Sequence, residues 1–464
     1  MKNIALFYTP PVEIIDDYTR IFIELIEENI FSKNQIKIII CKGKIGLNKC
    51  VGNYRGDRSK CFKCKSGLNF LLKKYSEYQG IEFISYFESK ISIKNLKFKN
   101  YDELKNFEYQ GINIGYAVHS LAITTFRDHL YDMSVKKNFI INSLRSSIKT
   151  IDILLKIKPN YVYSFNGRVS HYNSIVKYAQ LLNIDYSIFE ISANKNKYVI
   201  SKNTPLHKVD TYTKQINDTW NSSHLNIKER ENQSKTFFDI NSGNLKNSDF
   251  NITVFSKDKN ISNKKLNQIK YSNKRIISIF NSSRNEFECV EGWNENTFYD
   301  DDENLINKIC QHFKSNENLL FILRVHPNLK HLKNAQNKNI KKLIKNKNLI
   351  IIDPEEKISS YELIRLSDTI ITFGSTVGIE STYMGKKSIV IGDSLYKSLD
   401  CTYNPKTFQE LINFILDKEL KIKPKKLTLR YGFYILNNGN DFKFSDKVIF
   451  KINNFKYLII KFFN

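Results

Sequence analysis

No apolar run in this 464-residue chain approaches the roughly 20 residues that a membrane-spanning helix needs, so nothing in it reads as an integral membrane protein. The amino terminus, MKNIALFYTPP, goes straight into a strand-like segment without a cationic and apolar leader, which makes a cytoplasmic protein the expectation. Acidic residues are short as well: 47 Asp and Glu stand against 72 Lys and Arg, for a formal net charge of +25 and a pI near 9.4. That balance invites a nucleic-acid reading, yet the common nucleic-acid motifs are missing, and Lys, Asn and Ile are spread through loops and elements alike. Nucleic acid is therefore not an expected partner. The charge instead favours anionic lipid headgroups or acidic glycans, so peripheral contact with the inner membrane face is left open. No repeat of solenoid period is present. The chain is too long for one core, and its 41% hydrophobic content is enough to bury two.

What is there begins with TIITFGSTVGIESTYMGKKSIVIG, residues 369–392. A β-branched run ends at Gly374, Ser375 and Thr376 open a short helix, and a second apolar strand returns after Gly385, which is a parallel βαβ unit. In open α/β sheets ligands lie beyond the carboxyl ends of the strands, where a helix start offers N–H groups to a phosphate and Ser375 and Thr376 add hydroxyls. The plainer alternative is that the two residues only cap the helix. About fifty residues upstream, Asn318–Leu323 reads as a strand that runs into Arg324-Val325-His326-Pro327-Asn328 and Lys330. Pro327 ends the ladder and leaves cations near the same sheet edge, the composition of a diphosphate or phosphodiester site. A third strand, Ile276–Phe280, leads into Asn281-Ser282-Ser283-Arg284, so three strand ends outline one site. Glu380, one turn beyond Thr376, is placed to accept from ribose hydroxyls or, alternatively, to contact the start of its own helix.

The order of these motifs, a strand with SSxxE, then RxHPN, then GSTxGxES and a GKxxIxxG strand, resembles the carboxyl-terminal half of bacterial capsule polysaccharide biosynthesis proteins. These are GT-B glycosyltransferases related to the Kdo-transferases and, more distantly, to bacterial sialyl- and polysialyltransferases. The resemblance spans roughly residues 275–400. It implies an α/β fold of two Rossmann-like, doubly wound domains facing a cleft, and a donor phosphate held by His326 and by Ser375 and Thr376. The function it implies is transfer of a sugar from a CMP- or UDP-linked donor to a growing capsule or lipopolysaccharide-type glycan or a lipid-linked acceptor, with inversion and without a metal cofactor. The nucleotide-binding set is then Ser282, Ser283, Arg324, His326, Lys330, Gly374, Ser375, Thr376 and Glu380. One departure stands out: the acidic motif that carries the base in the sialyltransferases has no clear counterpart in the amino-terminal half.

That half alternates strands and helices too, with strands expected at Ile4–Tyr8, Ile36–Ile40, Ile81–Tyr86, Ile112–Ala117, Tyr161–Phe165 and Tyr186–Glu190. The base is sought at its strand ends: Glu190, or Asp128 in TTFRDHLYD, with Asn166 and Arg168 on the acceptor side and Gly167 allowing a sharp turn between them. Either acid alternatively pairs with Arg168 or Arg127. The polar stretch 241–273, with one apparent strand at Ile252–Phe255, sets the expected domains: 1–273 on the acceptor side, 274–417 for the nucleotide, and a basic, aromatic tail over 418–464 that packs across the domains or lies on a membrane. The run Asp300-Asp301-Asp302-Glu303 reads as a helix start. Four of the seven cysteines, Cys41, Cys50, Cys61 and Cys64, crowd one basic segment and suit a structural zinc, with reduced thiols as the alternative. Two competing functions remain: a CDP-polyol phosphotransferase, and a binding protein that kept the fold without catalysis.

Overall fold

The computed structural model describes residues 2–8, 15–41, 53, 56–86, 93, 95–246, 249–252, 264–294, 297–343 and 347–445. They form two compact units that interleave along the chain: Met1–Phe126, Tyr131–Leu206 and the chain from Gly439 in one, Arg127–Leu130 and His207–Asn438 in the other. This differs from the boundary expected at residue 273 and from a separate tail beginning at 418. The helices Val209–Asn221 and Ile227–Asn241 belong to the second unit because they pack on the helix Leu429–Asn437. Phe237 meets Tyr431 there, and the Tyr434 hydroxyl donates to Gln215 at 2.8 Å. The apparent strand at 252–255 falls largely outside the described residues.

In the first unit β1 (Asn3–Tyr8) lies between β2 (Gln35–Ile40) and a later strand, with β3 (Ile81–Ser85) at one edge. A small hairpin, β4 (Glu108–Tyr109) and β5 (Ile112–Asn113), stands apart. The sheet resumes with β6 (Tyr161–Phe165), β7 (Asp185–Ile191) and β8 (Lys197–Lys202), in the order β8, β7, β6, β1, β2, β3. All neighbours are parallel except β7 and β8. Helices cover the sheet, so its strands are apolar on both faces: β6 is buried at all five positions, and Leu6, Tyr8, Ile38 and Phe165 share one core with Phe22. The expected strand Ile112–Ala117 does not form. Only Ile112 and Asn113 pair, and Gly115–Phe126 is a helix whose buried side chains include Ala117, Ser120 and Ala122.

The second unit carries β9 (Arg275–Phe280), β10 (Leu319–Arg324), β11 (Leu349–Ile352), β12 (Thr369–Thr372) and β13 (Lys387–Val390), all parallel, in the order β11, β10, β9, β12, β13. Side chains alternate across it: Ile277 and Ile279 join Leu305, Ile309 and Leu323 on one face, while Ile276 and Phe280 join Ile322, Ile364 and Ile370 on the other. The winding direction reverses between β9 and β12, which opens a crevice at the carboxyl ends of the central strands. Both units are thus α/β sheets of the Rossmann kind, the second wholly parallel and the first parallel except at its β8 edge. The chain then returns to the first unit, where β14 (Asn440–Asp441) adds antiparallel to β8. Buried Glu24 accepts there from the backbone N–H groups of Lys443, Phe444 and Ser445 at 2.7–3.2 Å.

Candidate functional site

The crevice of the second unit holds a cavity of about 130 Å³ at the ends of β9, β10 and β12. Pro327 stops β10 as expected, and residues Pro327–Leu329 form a single 3-10 turn capped by His326. Nδ1 of His326 accepts from the Asn328 N–H at 3.1 Å, so the neutral ring carries its proton on Nε2. The His326 N–H donates to the Asn281 side chain at 2.9 Å, and Asn328 is braced by Glu286 and by the Arg127 guanidinium. Burial holds the imidazole below its ordinary pKa, against the opposing pull of Glu286, so the ring is neutral near pH 7. Arg324, 3% exposed, lines the same cavity while one of its nitrogens donates to the Asp353 carbonyl at 2.6 Å.

Opposite stand Ser375 and Thr376, after the turn at Gly374. Gly374 sits at φ +78°, and a Cβ there would lie 2.4 Å from the Asp393 carbonyl oxygen, so both conformation and space require glycine. Thr376 makes no side-chain cap, and the Ser375 hydroxyl accepts from Val377 only at 3.4 Å. At the start of the helix Val377–Tyr383 the Gly378 N–H donates to the Ser375 carbonyl at 3.1 Å. The inner end of the cavity is Glu380, 6% exposed, which accepts from the Tyr361 hydroxyl, from Asn241 at 3.3 Å and from Thr376. Burial raises the Glu380 pKa, and those three hydrogen bonds oppose the rise.

The loop after β9 departs from expectation. Ser282 and Ser283, taken as nucleotide ligands, turn inward: Ser282 donates to Asp302 at 2.6 Å, and Ser283 donates to Asn285 at 2.9 Å. Arg284 is committed to Glu288 and Glu303. Buried Gln336 ties the loop down, donating to the Ser282 carbonyl and to Glu303 and accepting from the Arg284 N–H. Asp301 caps its helix as the acidic run predicts, but Asp302 and Glu303 are buried parts of this network, and burial raises both carboxyls, to about 6 and about 7. Lys330 is exposed beyond the turn and does not line the cavity. Asn281, Tyr361 and Asn241 do line it, and only the first lies in a segment the sequence points to.

In the first unit Asn166 and Glu190 meet at the ends of β6 and β7, the amide donating to the carboxylate at 2.5 Å. Asn166 and Gly167 both take positive φ, +59° and +69°, which makes the sharp turn expected at Gly167. Burial raises the Glu190 pKa, while hydrogen bonds from Asn166 and the Ile191 N–H and the charge of Arg168 pull it back. Asp128 is different. It belongs to the second unit, where its carboxylate accepts from the Leu130 and Ala335 N–H groups and so fastens a loop to a helix start. A structural task accounts for it, and Glu190 is left as the candidate base.

Of the cysteines, Cys50 lies outside the described residues. Burial raises the Cys64 thiol to about 12, with Cys41 and Cys61 near enough to add to the rise. Among the described residues no group of three His, Cys, Asp or Glu is arranged to hold a metal.

No family model and no curated protein sequence matches the chain. Among solved structures it is similar to a Thermosulfurimonas dismutans KpsC β-Kdo 2,4 transferase, at 14% identity over 58% of this chain and 78% of that one, TM-score 0.36. A β-Kdo 2,7 transferase structure of KpsC from the same organism gives 13% identity over 67% and 90%, TM-score 0.34. S. aureus MnaA in a co-structure with UDP gives 11% over 99% and 97%, TM-score 0.29. At such scores the likeness bears on neither substrate nor mechanism, which rest on the residues above.

Proposed function

We propose that the chain is a nucleotide-sugar-dependent glycosyltransferase whose donor occupies the cavity of the second unit. One observation carries the reading: Arg324, His326, Ser375 and Thr376, from two strand ends far apart in sequence, converge on one cavity at the switch point of a parallel sheet. A guanidinium, an imidazole N–H and the Ser375 hydroxyl match a phosphate's oxygens, while Thr376 beside them donates to Glu380, whose remaining acceptor capacity matches a ribose hydroxyl. Transfer breaks the bond between the anomeric carbon and the phosphate oxygen while the acceptor hydroxyl oxygen bonds to that carbon. The electron pair leaves with the phosphate, where Arg324 and His326 stabilise the added charge, and the hydroxyl proton passes to a base. Glu190, raised by burial and oriented by Asn166, is the group we assign to that proton. Attack opposite the leaving phosphate inverts the anomeric centre. The acceptor in this reading is a surface glycan of capsule or lipopolysaccharide type, and the donor is CMP- or UDP-linked.

The test is calorimetry with CMP, UDP and GDP, followed by the corresponding sugar donors and assay for nucleotide release. Binding of one nucleotide class with slow donor hydrolysis is expected. Absence of binding by all three, in folded protein, would remove the reading.

A further inference from the structure

We infer that the solvent face of the helix Arg58–Tyr75, in the first unit, is a docking surface for an anionic lipid bilayer. The helix has 18 residues, a length of about 27 Å, and buries one side through Leu68, Leu71 and Tyr75. At 100° per residue Phe62 lies on the opposite side, about 150° from the mean direction of the buried three, with Arg58, Lys65, Asn69 and Lys73 within about 60° of it. Phe62 is 72% exposed. A large aromatic ring thus stands on a polar face, where a soluble helix normally carries a polar or charged residue. No acidic residue occurs anywhere in the helix, whereas Arg58, Lys63 and Lys65 are exposed around the ring. Lys74, on the flank, bridges Glu27 at 2.8 Å, and exposed Asp57, just before the helix, caps it by accepting from the Ser59 N–H at 2.8 Å.

A ring ringed by flexible cations matches one environment closely. At a bilayer surface the phenyl group enters the headgroup and acyl boundary while Arg58, Lys63 and Lys65 meet anionic headgroups in the same plane. Each cation near such a surface is worth about fivefold in partitioning. A nucleic-acid duplex would use the cations and give the central Phe62 no apolar medium to enter. The inference uses no residue of the donor cavity, so it and the proposed reaction stand or fall separately.

The experiment uses the full chain and vesicles of phosphatidylcholine with or without phosphatidylglycerol, scored by co-sedimentation. Binding to the anionic vesicles alone is expected. The pair Arg58→Glu, Lys65→Glu should lower partitioning by roughly tenfold or more, and Phe62→Ser by several-fold, with nucleotide binding unchanged. A charge-matched pair on the second unit, Lys338→Glu and Lys341→Glu, should do much less. Equal losses in the two pairs would reduce the effect to net charge and overturn the proposal. Phe62→Trp should give an anionic-vesicle-dependent blue shift beyond that of the wild-type Trp220 and Trp293, and no added shift would likewise overturn it. Binding to heparin that needs Arg58 and Lys65, without vesicle binding, would assign the face to a soluble polyanion instead.

Discussion

His326 uses its two ring nitrogens differently, and that division makes it a donor. With Nδ1 accepting from its own turn and burial keeping the ring neutral, the ring proton sits on Nε2, and the proposed function directs it to a phosphate oxygen. His326→Ala is expected to lower turnover by about 10² or more at saturating donor while the fold persists; wild-type rates would return the residue to a purely structural role. Across the cavity, Ser375→Ala with Thr376→Ala should weaken nucleotide binding partly, because Arg324 and His326 remain. Thr376→Asp should abolish it, since a carboxylate would stand where the phosphate must, and a folded Asp variant that binds nucleotide as tightly as wild type would show the phosphate lies elsewhere. A third residue reports on pH. His171 is fully buried, and burial alone holds its imidazole at about 3. Its folded pKa lies below the unfolded value near 6.5, so the unfolded chain binds the extra proton and stability falls as pH drops from about 6.5 toward 3. Between pH 7 and pH 5 this costs about 2 kcal/mol, and His171→Gln should lose that much less over the same interval in chemical denaturation. Equal losses in the two proteins would show that His171 titrates elsewhere.

At the scale of elements, the motif turns were the most legible part of the chain. Pro327 and Gly374 each act through their own backbone, so the strand end and the turn they dictate follow from local chemistry. Gly374→Ala should cost about 1–3 kcal/mol of stability and loosen nucleotide binding, through a strained φ and a clash with Asp393; a variant with unchanged melting temperature and affinity would contradict this. Ser282 and Ser283 were not legible, because whether a hydroxyl faces a ligand or a buried acid depends on Asp302 twenty residues away. Asp128 fails for the same reason, its partner Ala335 being distant in sequence. The segment Ile112–Ala117 reads as a strand, although the helix Gly115–Phe126 starts within it, because its mostly apolar residues show no helical polar stripe. That helix is buried nearly all round, which erases the helical period. Tyr361 and Asn241 left no local sign at all, since they reach Glu380 only through the packing of the second unit.

For the whole molecule, composition shows that two cores exist but not which segments build each. The polar stretch after residue 241 resembles a linker, yet the helices before it bury Phe237 and Phe238 in the second unit, and the chain end closes the first. The interleaving makes the units separately observable. Both tryptophans, Trp220 and Trp293, lie in the second unit, so their fluorescence follows its unfolding, while far-UV circular dichroism follows both. Glu24 is the place to perturb the first unit alone. It is 1% exposed and satisfies three consecutive N–H groups at the returning chain end, next to Phe442, which packs between Arg20 and Tyr198. Glu24→Ala removes a charged acceptor and leaves buried donors without it, a loss of about 2–3 kcal/mol. The expected outcome is an earlier circular-dichroism transition with the tryptophan transition and nucleotide affinity unchanged. If the tryptophan transition moves by as much, the returning chain end supports the second unit as strongly as the first, and the division into two units does not describe how the molecule unfolds.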